Sequence, residues 1–185
     1  MSPFPAISRA PARAALVVAT ALAAALGASC FADGAPAERG AAAAEVGPPV
    51  PDFRLPTADG RDLGPADLRG RVVLYEFWAT WCAPCHIQVE ILRKLYPELT
   101  RRGVEFVGIA SGEPPEVVLE HLERSPSPYP IVLDAEDRVG AAMDVLGLPT
   151  LVVADRAGRV VWRNTGLVDE ATLRDAFAAA GLGAR

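Results

Sequence analysis

Residues 71–78 form an apolar run interrupted only by Glu76, the pattern of a strand covered on both faces, as parallel sheets require. From Ala83 the spacing changes. Ile87, Ile91, Leu95 and Leu99, with Leu92 and Tyr96, recur every three to four positions and predict an amphipathic helix, which Pro97 is expected to bend or end. Residues 104–110 predict a second buried strand, and 115–124 a helix. A constrained loop with three prolines follows at 125–130, then a short strand at 131–133 and a short helix at 137–146. Strands at 150–154 and 159–163 are joined by the turn residues Asp155, Arg156, Ala157 and Gly158. Asp169 is placed to cap a last helix that runs to about Ala180 and stops at Gly181. At the front, alternation from Asp52 to Leu55 and the turn Ala58, Asp59, Gly60 before 61–63 predict a small hairpin, with a helical turn at 65–68. Alternating strands and helices, closed by a hairpin and a helix, indicate an α/β domain with a central mixed sheet and helices on both faces.

Upstream, the pattern is of another kind. Arg9 and Arg13 precede the uncharged, alanine-rich stretch 14–28, which ends in Gly27, Ala28 and Ser29 before Cys30. A positive start, a short apolar stretch and small residues at its end are the marks of an export signal. The small residues before Cys30 are also similar to the processing site of bacterial lipoproteins, with Cys30 as the lipidated residue, although Gly27 stands where a bulky aliphatic is usual. Cleavage after Ala32 would instead release a soluble protein without Cys30. Residues 1–32 are thus read as a signal peptide or lipoprotein signal, 33–45 as an Ala/Gly/Pro/Glu-rich flexible linker, and 46–185 as one globular domain.

Composition narrows the partners. Of 185 residues, 51% are hydrophobic and 22% charged, enough for one full core, and the formal net charge is −5. The basic residues are scattered, and removing Arg9 and Arg13 with the leader makes the rest more acidic still. Neither a groove for nucleic acid nor a polybasic lipid patch is present. Membrane contact is expected only through the N-terminal signal or a lipid on Cys30.

The chemistry lies between strand and helix, where Trp81, Cys82, Ala83, Pro84 and Cys85 follow the apolar run. A helix starting near Cys82 puts that sulfur at unpaired amide N–H groups and the positive dipole end, which favour thiolate over thiol. Thiolate is the attacking species in disulfide exchange, so Cys82 is the expected nucleophile and Cys85, one turn along, the resolving thiol. A zinc site would need further ligands, and the other candidates are only Cys30, His86 and His121. No metal or separate cofactor is expected beyond the redox-active Cys82–Cys85 pair. An inert buried pair gives no reason for Trp81 before it and Pro84 within it. Glu76 stands out as an acid in a buried strand, costly unless paired, hydrated or functional; the plain alternative is an edge or hydrated glutamate in a structural hydrogen bond. His86 is read as a solvated helix-surface residue and His121 as surface.

In this order and spacing, residues 47–55, 77–85, 147–150 and 155–160 resemble the TlpA/ResA-like thiol-disulfide oxidoreductases of the thioredoxin superfamily, over about 46–182. The resemblance implies a thioredoxin-like fold with an N-terminal β-hairpin and a central insertion. It makes Pro149 a cis-proline facing the disulfide and Leu148 a presenter of backbone groups to a substrate chain. Trp81 and Pro84 become residues shaping the exposed face and the first helical turn. Glu76 aligns with the buried aspartate of thioredoxins, which implies a raised pKa and acceptance of the Cys85 proton, directly or through water.

The implied function is thiol-disulfide exchange with exported thiol or disulfide protein substrates, more readily as a reductant, with cytochrome c maturation as a candidate pathway. A membrane thiol-disulfide donor or acceptor would renew the pair, and the location would be the periplasm or cell envelope. The chain departs from the family at Gln88, where many members carry glutamate, and at Glu90, where many carry proline. The first weakens any transfer of cytochrome specificity; the second implies a helix less kinked near its start. Two rivals come from other classes. One is a Cu(I) carrier using both sulfurs and a histidine, which Leu148 and Pro149 over the pair would hinder. The other is a peroxiredoxin-type peroxidase, which would need Thr or Ser three residues before its cysteine, where Ala79 stands.

Overall fold

A computed structural model of the chain describes residues 47–183. The expected signal, the linker, Cys30 and Val46 lie outside the described residues. A five-stranded sheet carries the domain, in the order β5-β4-β3-β6-β7, with β3 (Val72–Trp78), β4 (Val104–Ser111) and β5 (Ile131–Asp134) parallel. β6 (Thr150–Ala154) runs antiparallel to β3, and β7 (Val160–Thr165) antiparallel to β6. The predicted front hairpin exists as β1 (Leu55–Pro56) and β2 (Asp62–Leu63), followed by a short helical turn at Pro65–Leu68. Four helices complete the domain: α1 (Ala83–Arg101), α2 (Pro115–Arg124), α3 (Arg138–Ala142) and α4 (Glu170–Ala179). The helix–strand unit α2–β5, set between β4 and α3, is the central insertion, and β5 extends the sheet at its edge.

Every residue of β3 is buried, which accounts for a run that is apolar at every position but Glu76. Side chains alternate between two cores. Val72, Leu74 and Trp78 join α1, α4 and Val118 of α2 on one face; Val73, Tyr75 and Phe77 join Val139 of α3 and the N-terminal segment on the other. Glu76 has the parity of the first face. Its neighbour across the parallel ladder is Gly108. A Cβ there would stand 2.4 Å from Ile131 Cδ1 and 3.2 Å from Trp78 Nε1, so any larger residue would push these side chains aside.

Two local expectations are refined. Of the two outcomes expected at Pro97, the ending does not occur, because the residue lies inside α1. Leu92, Leu95 and Leu99 are buried on both sides of the proline, and their packing outweighs the one backbone bond its missing N–H removes. α3 is shorter than the predicted 137–146. Asp144 adopts φ 50°, and the Val145 N–H returns to Gly140 O at 2.9 Å, closing the helix early. Asp137, itself at φ 51°, makes no side-chain cap; Asp134 at the end of β5 accepts from the Arg138, Val139 and Gly140 N–H groups instead. Asp169 does cap α4, accepting from Thr172 N at 2.8 Å, and Gly181 follows the helix at φ 82°.

Candidate active site

Cys82 is the N-cap of α1, with extended backbone, and its sulfur accepts from Cys85 N at 3.3 Å. It is bonded to Cys85 as a disulfide, the Cα atoms 5.2 Å apart. Pro84 occupies the first turn, where its missing N–H breaks no intrahelical bond. When the bridge opens, the same first-turn amides face a Cys82 thiolate and stabilise it. Both cysteines are buried in the bridged form, Cys85 at 0% and Cys82 at 3% exposed.

Next to Cys82 in the chain, Trp81 is 71% exposed; with Leu146, 95% exposed, it lines a hollow of about 300 Å³ whose other walls include Leu148, Ser111 and Asp137. The Leu148–Pro149 peptide is cis, as expected. Because Thr150 pairs with Phe77, the antiparallel register brings Pro149 level with Trp78, at the end of the strand that leads to Cys82. Leu148 is half-buried against both cores, and Cys82 and Cys85 belong to the first of them.

The turn that presents Cys82 is held from two sides. Glu113, buried after β4, accepts from Thr80 N at 2.6 Å and from Thr80 Oγ1 at 2.5 Å. The Thr80 carbonyl accepts from His86 Nε2 at 2.9 Å. His86 is exposed, as expected; His121 is not a plain surface residue. Its ring is half-buried, 5.5 Å from Trp78 and 5.3 Å from His86, and burial lowers its pKa, with the His86 and Arg124 charges acting the same way. The periodicity of α2 could not reveal this, because the covering group is Trp78 on β3.

Glu76 is 1% exposed on the central strand, so it is not an edge residue. Its Oε2 accepts from the Tyr129 hydroxyl at 2.7 Å, while Oε1 has no protein hydrogen-bond partner. Burial pushes its pKa up to about 7, against the opposing effects of the Tyr129 hydrogen bond and the Arg93 charge. A carboxyl with a pKa near neutrality suits proton exchange in either direction. Gln88, fully buried, accepts from Val168 N at 2.8 Å and donates to Val168 O at 3.2 Å, tying α1 to the segment before α4. An ionised glutamate, which only accepts, could not make both bonds.

Tyr129, Glu113 and Arg93 escaped sequence reasoning. The one available signal was Tyr129 as the sole aromatic in the proline-rich 125–130 loop. Among the described residues no group of three or more His, Cys, Asp or Glu is gathered as a metal site. None of the described helices is long and apolar enough to cross a membrane.

A thioredoxin-like sheet, a helix opening on a Cys-Ala-Pro-Cys disulfide and a cis-proline loop near it define a thiol-disulfide exchange protein. The Redoxin family model matches residues 45–179, and the chain belongs to that family as a TlpA/ResA-like thiol-disulfide oxidoreductase of the thioredoxin superfamily. It is 36% identical over 132 residues to the thiol-disulfide oxidoreductase ResA of Geobacillus thermodenitrificans, covering 71% of this chain and 76% of that one. It is 34% identical over 136 residues to the thiol:disulfide interchange protein DsbE of Pseudomonas fluorescens, covering 72% and 74%. A Chlorobium tepidum crystal structure, provisionally named a DsbE, superposes with TM-score 0.69 at 26% identity, covering 75% of this chain and 99% of that one.

Proposed function

We propose that the chain works outside the cytoplasm, reducing disulfides of exported proteins. The observation that carries the reading is the Cys82–Cys85 bridge at the opening of α1, with a buried glutamate on the strand behind it. Cys82 thiolate attacks one sulfur of a substrate disulfide, forms a mixed disulfide and releases the other sulfur as thiolate. Cys85 then gives its proton to Glu76 and attacks Cys82 Sγ. The substrate's second sulfur leaves as thiolate, the Cys82–Cys85 bond closes, and two electrons have passed to the substrate. A membrane thiol donor resupplies them. The reverse sequence oxidises a dithiol.

Trp81, Leu148 and Pro149 form the surface on which the substrate chain lies, a reading supported by the exposure of Trp81 and the hollow that it and Leu148 line. Pro84 shapes the first turn under the Cys82 sulfur. Export rests on the reading of residues 1–32, with Cys30 lipidated or removed. Apocytochrome c is one candidate substrate, but Gln88 is committed to Val168, so selection through an acid at that position is not part of the proposal. The test is the reduction potential of the pair. A value near about −270 mV, as in thioredoxin, supports the reductant; one near about −120 mV, as in DsbA, makes the protein an oxidant.

A further inference from the structure

Between β3, α1, α2 and the loop before β5 lies a cavity of about 60 Å³. Glu76, Trp78, Arg93, Tyr129, His86 and His121 are among the residues that line it. Three buried polar atoms in these residues have no protein hydrogen-bond partner: Glu76 Oε1, Trp78 Nε1 and Arg93 Nε. Arg93 Nε is 3.4 Å from Glu90 Oε1, an ion pair without hydrogen-bond alignment. The three atoms are complementary. Indole and guanidinium N–H groups only donate and the carboxylate oxygen accepts, so water, which does both, is a partner suited to each of them. The volume exceeds what a single water needs.

Two histidines share the cavity with Glu76. His86 Nε2 donates to the Thr80 carbonyl at 2.9 Å, which places a proton on that nitrogen. His121 sits between this ring and Trp78, half-buried, facing His86, Glu90 and Arg93 of α1 and Glu113 of the preceding loop, with Arg124 on its own helix.

We propose that this cavity is the proton exit of the redox site: the proton that Glu76 takes from Cys85 passes through water to the His121 imidazole and from there to bulk solvent. The inference rests on Glu76 being the base in the proposed exchange. The balance is closed: Cys85 loses one proton, Glu76 holds it transiently, His121 passes it on, and the displaced substrate thiolate takes its own from solvent. Burial lowers the pKa of His121, which keeps the ring largely neutral at physiological pH and able to accept. His121 touches no reacting sulfur in this scheme; it is a relay.

The experiment follows decay of the mixed disulfide formed with oxidised glutathione, by rapid quench and mass analysis, in the intact chain. His121→Ala should slow resolution roughly tenfold at neutral pH, leave the first attack by Cys82 unchanged, and be rescued by added imidazole. Glu76→Gln should slow the same step without rescue. Wild-type resolution in His121→Ala, or slowing that imidazole does not relieve, overturns the exit route. If Glu76→Gln itself resolves at the wild-type rate, it is the base assignment that fails. His121→Asn keeps the test available should the alanine variant not fold.

Discussion

Tyr129 donates a 2.7 Å hydrogen bond to Glu76 from a loop 53 residues further along the chain. The inserted unit therefore reaches behind the disulfide and partners the one acid of the central strand. Oε2 is satisfied in this way, and Oε1 is left facing a polar cavity. Removing the phenol should make the carboxyl harder still to ionise, because the Tyr129 bond lowers its pKa. Tyr129→Phe should shift the pH profile of mixed-disulfide resolution to higher pH while leaving the first attack alone. It should also cost about 1–3 kcal/mol in denaturant unfolding. An unmoved profile would detach Tyr129 from the chemistry.

Glu76 makes stability depend on pH in a defined direction. Its folded-state pKa, about 7, lies above the ordinary 4.5, so the native state holds the proton more tightly than the unfolded chain does. Its contribution is greatest below pH 4.5 and is lost as pH rises through about 7. Relative to Glu76→Gln, the oxidised wild type should lose roughly 3 kcal/mol between pH 4.5 and pH 8. Urea unfolding of both proteins at the two pH values measures the difference. Parallel behaviour would contradict the buried, proton-binding state of this residue.

Glu113 holds Thr80 by two bonds, one to backbone and one to side chain. Glu113→Ala should free the turn that aims Cys82, slow the first attack, and lower stability by about 1–3 kcal/mol. Thiol-trapping kinetics separate this from the Glu76 effect, which falls on the second step.

Gln88 is held by both of its amide groups at once. Gln88→Glu removes the donor to Val168 O and buries a carboxyl, so it should destabilise by about 2 kcal/mol and more at high pH than at low. Unfolding midpoints at two pH values check it.

Much of this architecture was legible because its signals are local. The largely apolar run of β3, the three-to-four spacing of α1, the Asp155–Gly158 turn and the Asp169 cap each follow from residues within a few positions of one another. The disulfide pair was legible for the same reason. Pro97 shows where local rules end, since the helix is kept by leucines packed on α4 and the sheet. Asp134 replaced Asp137 as the cap of α3 because the strand before it delivers the carboxylate. Tyr129, Glu113 and His121 act on residues 53, 33 and 43 positions away, and no spacing rule connects such pairs.

The most direct measurement concerns the division of labour between the sulfurs. Cys85→Ser and Cys82→Ser are each exposed to oxidised glutathione and analysed by mass for the trapped adduct. Cys85→Ser should accumulate a mixed disulfide on Cys82 rapidly, whereas Cys82→Ser, left with a fully buried thiol, should accumulate little. Equal trapping, or faster trapping at Cys85, would contradict the assignment of Cys82 as the attacking group.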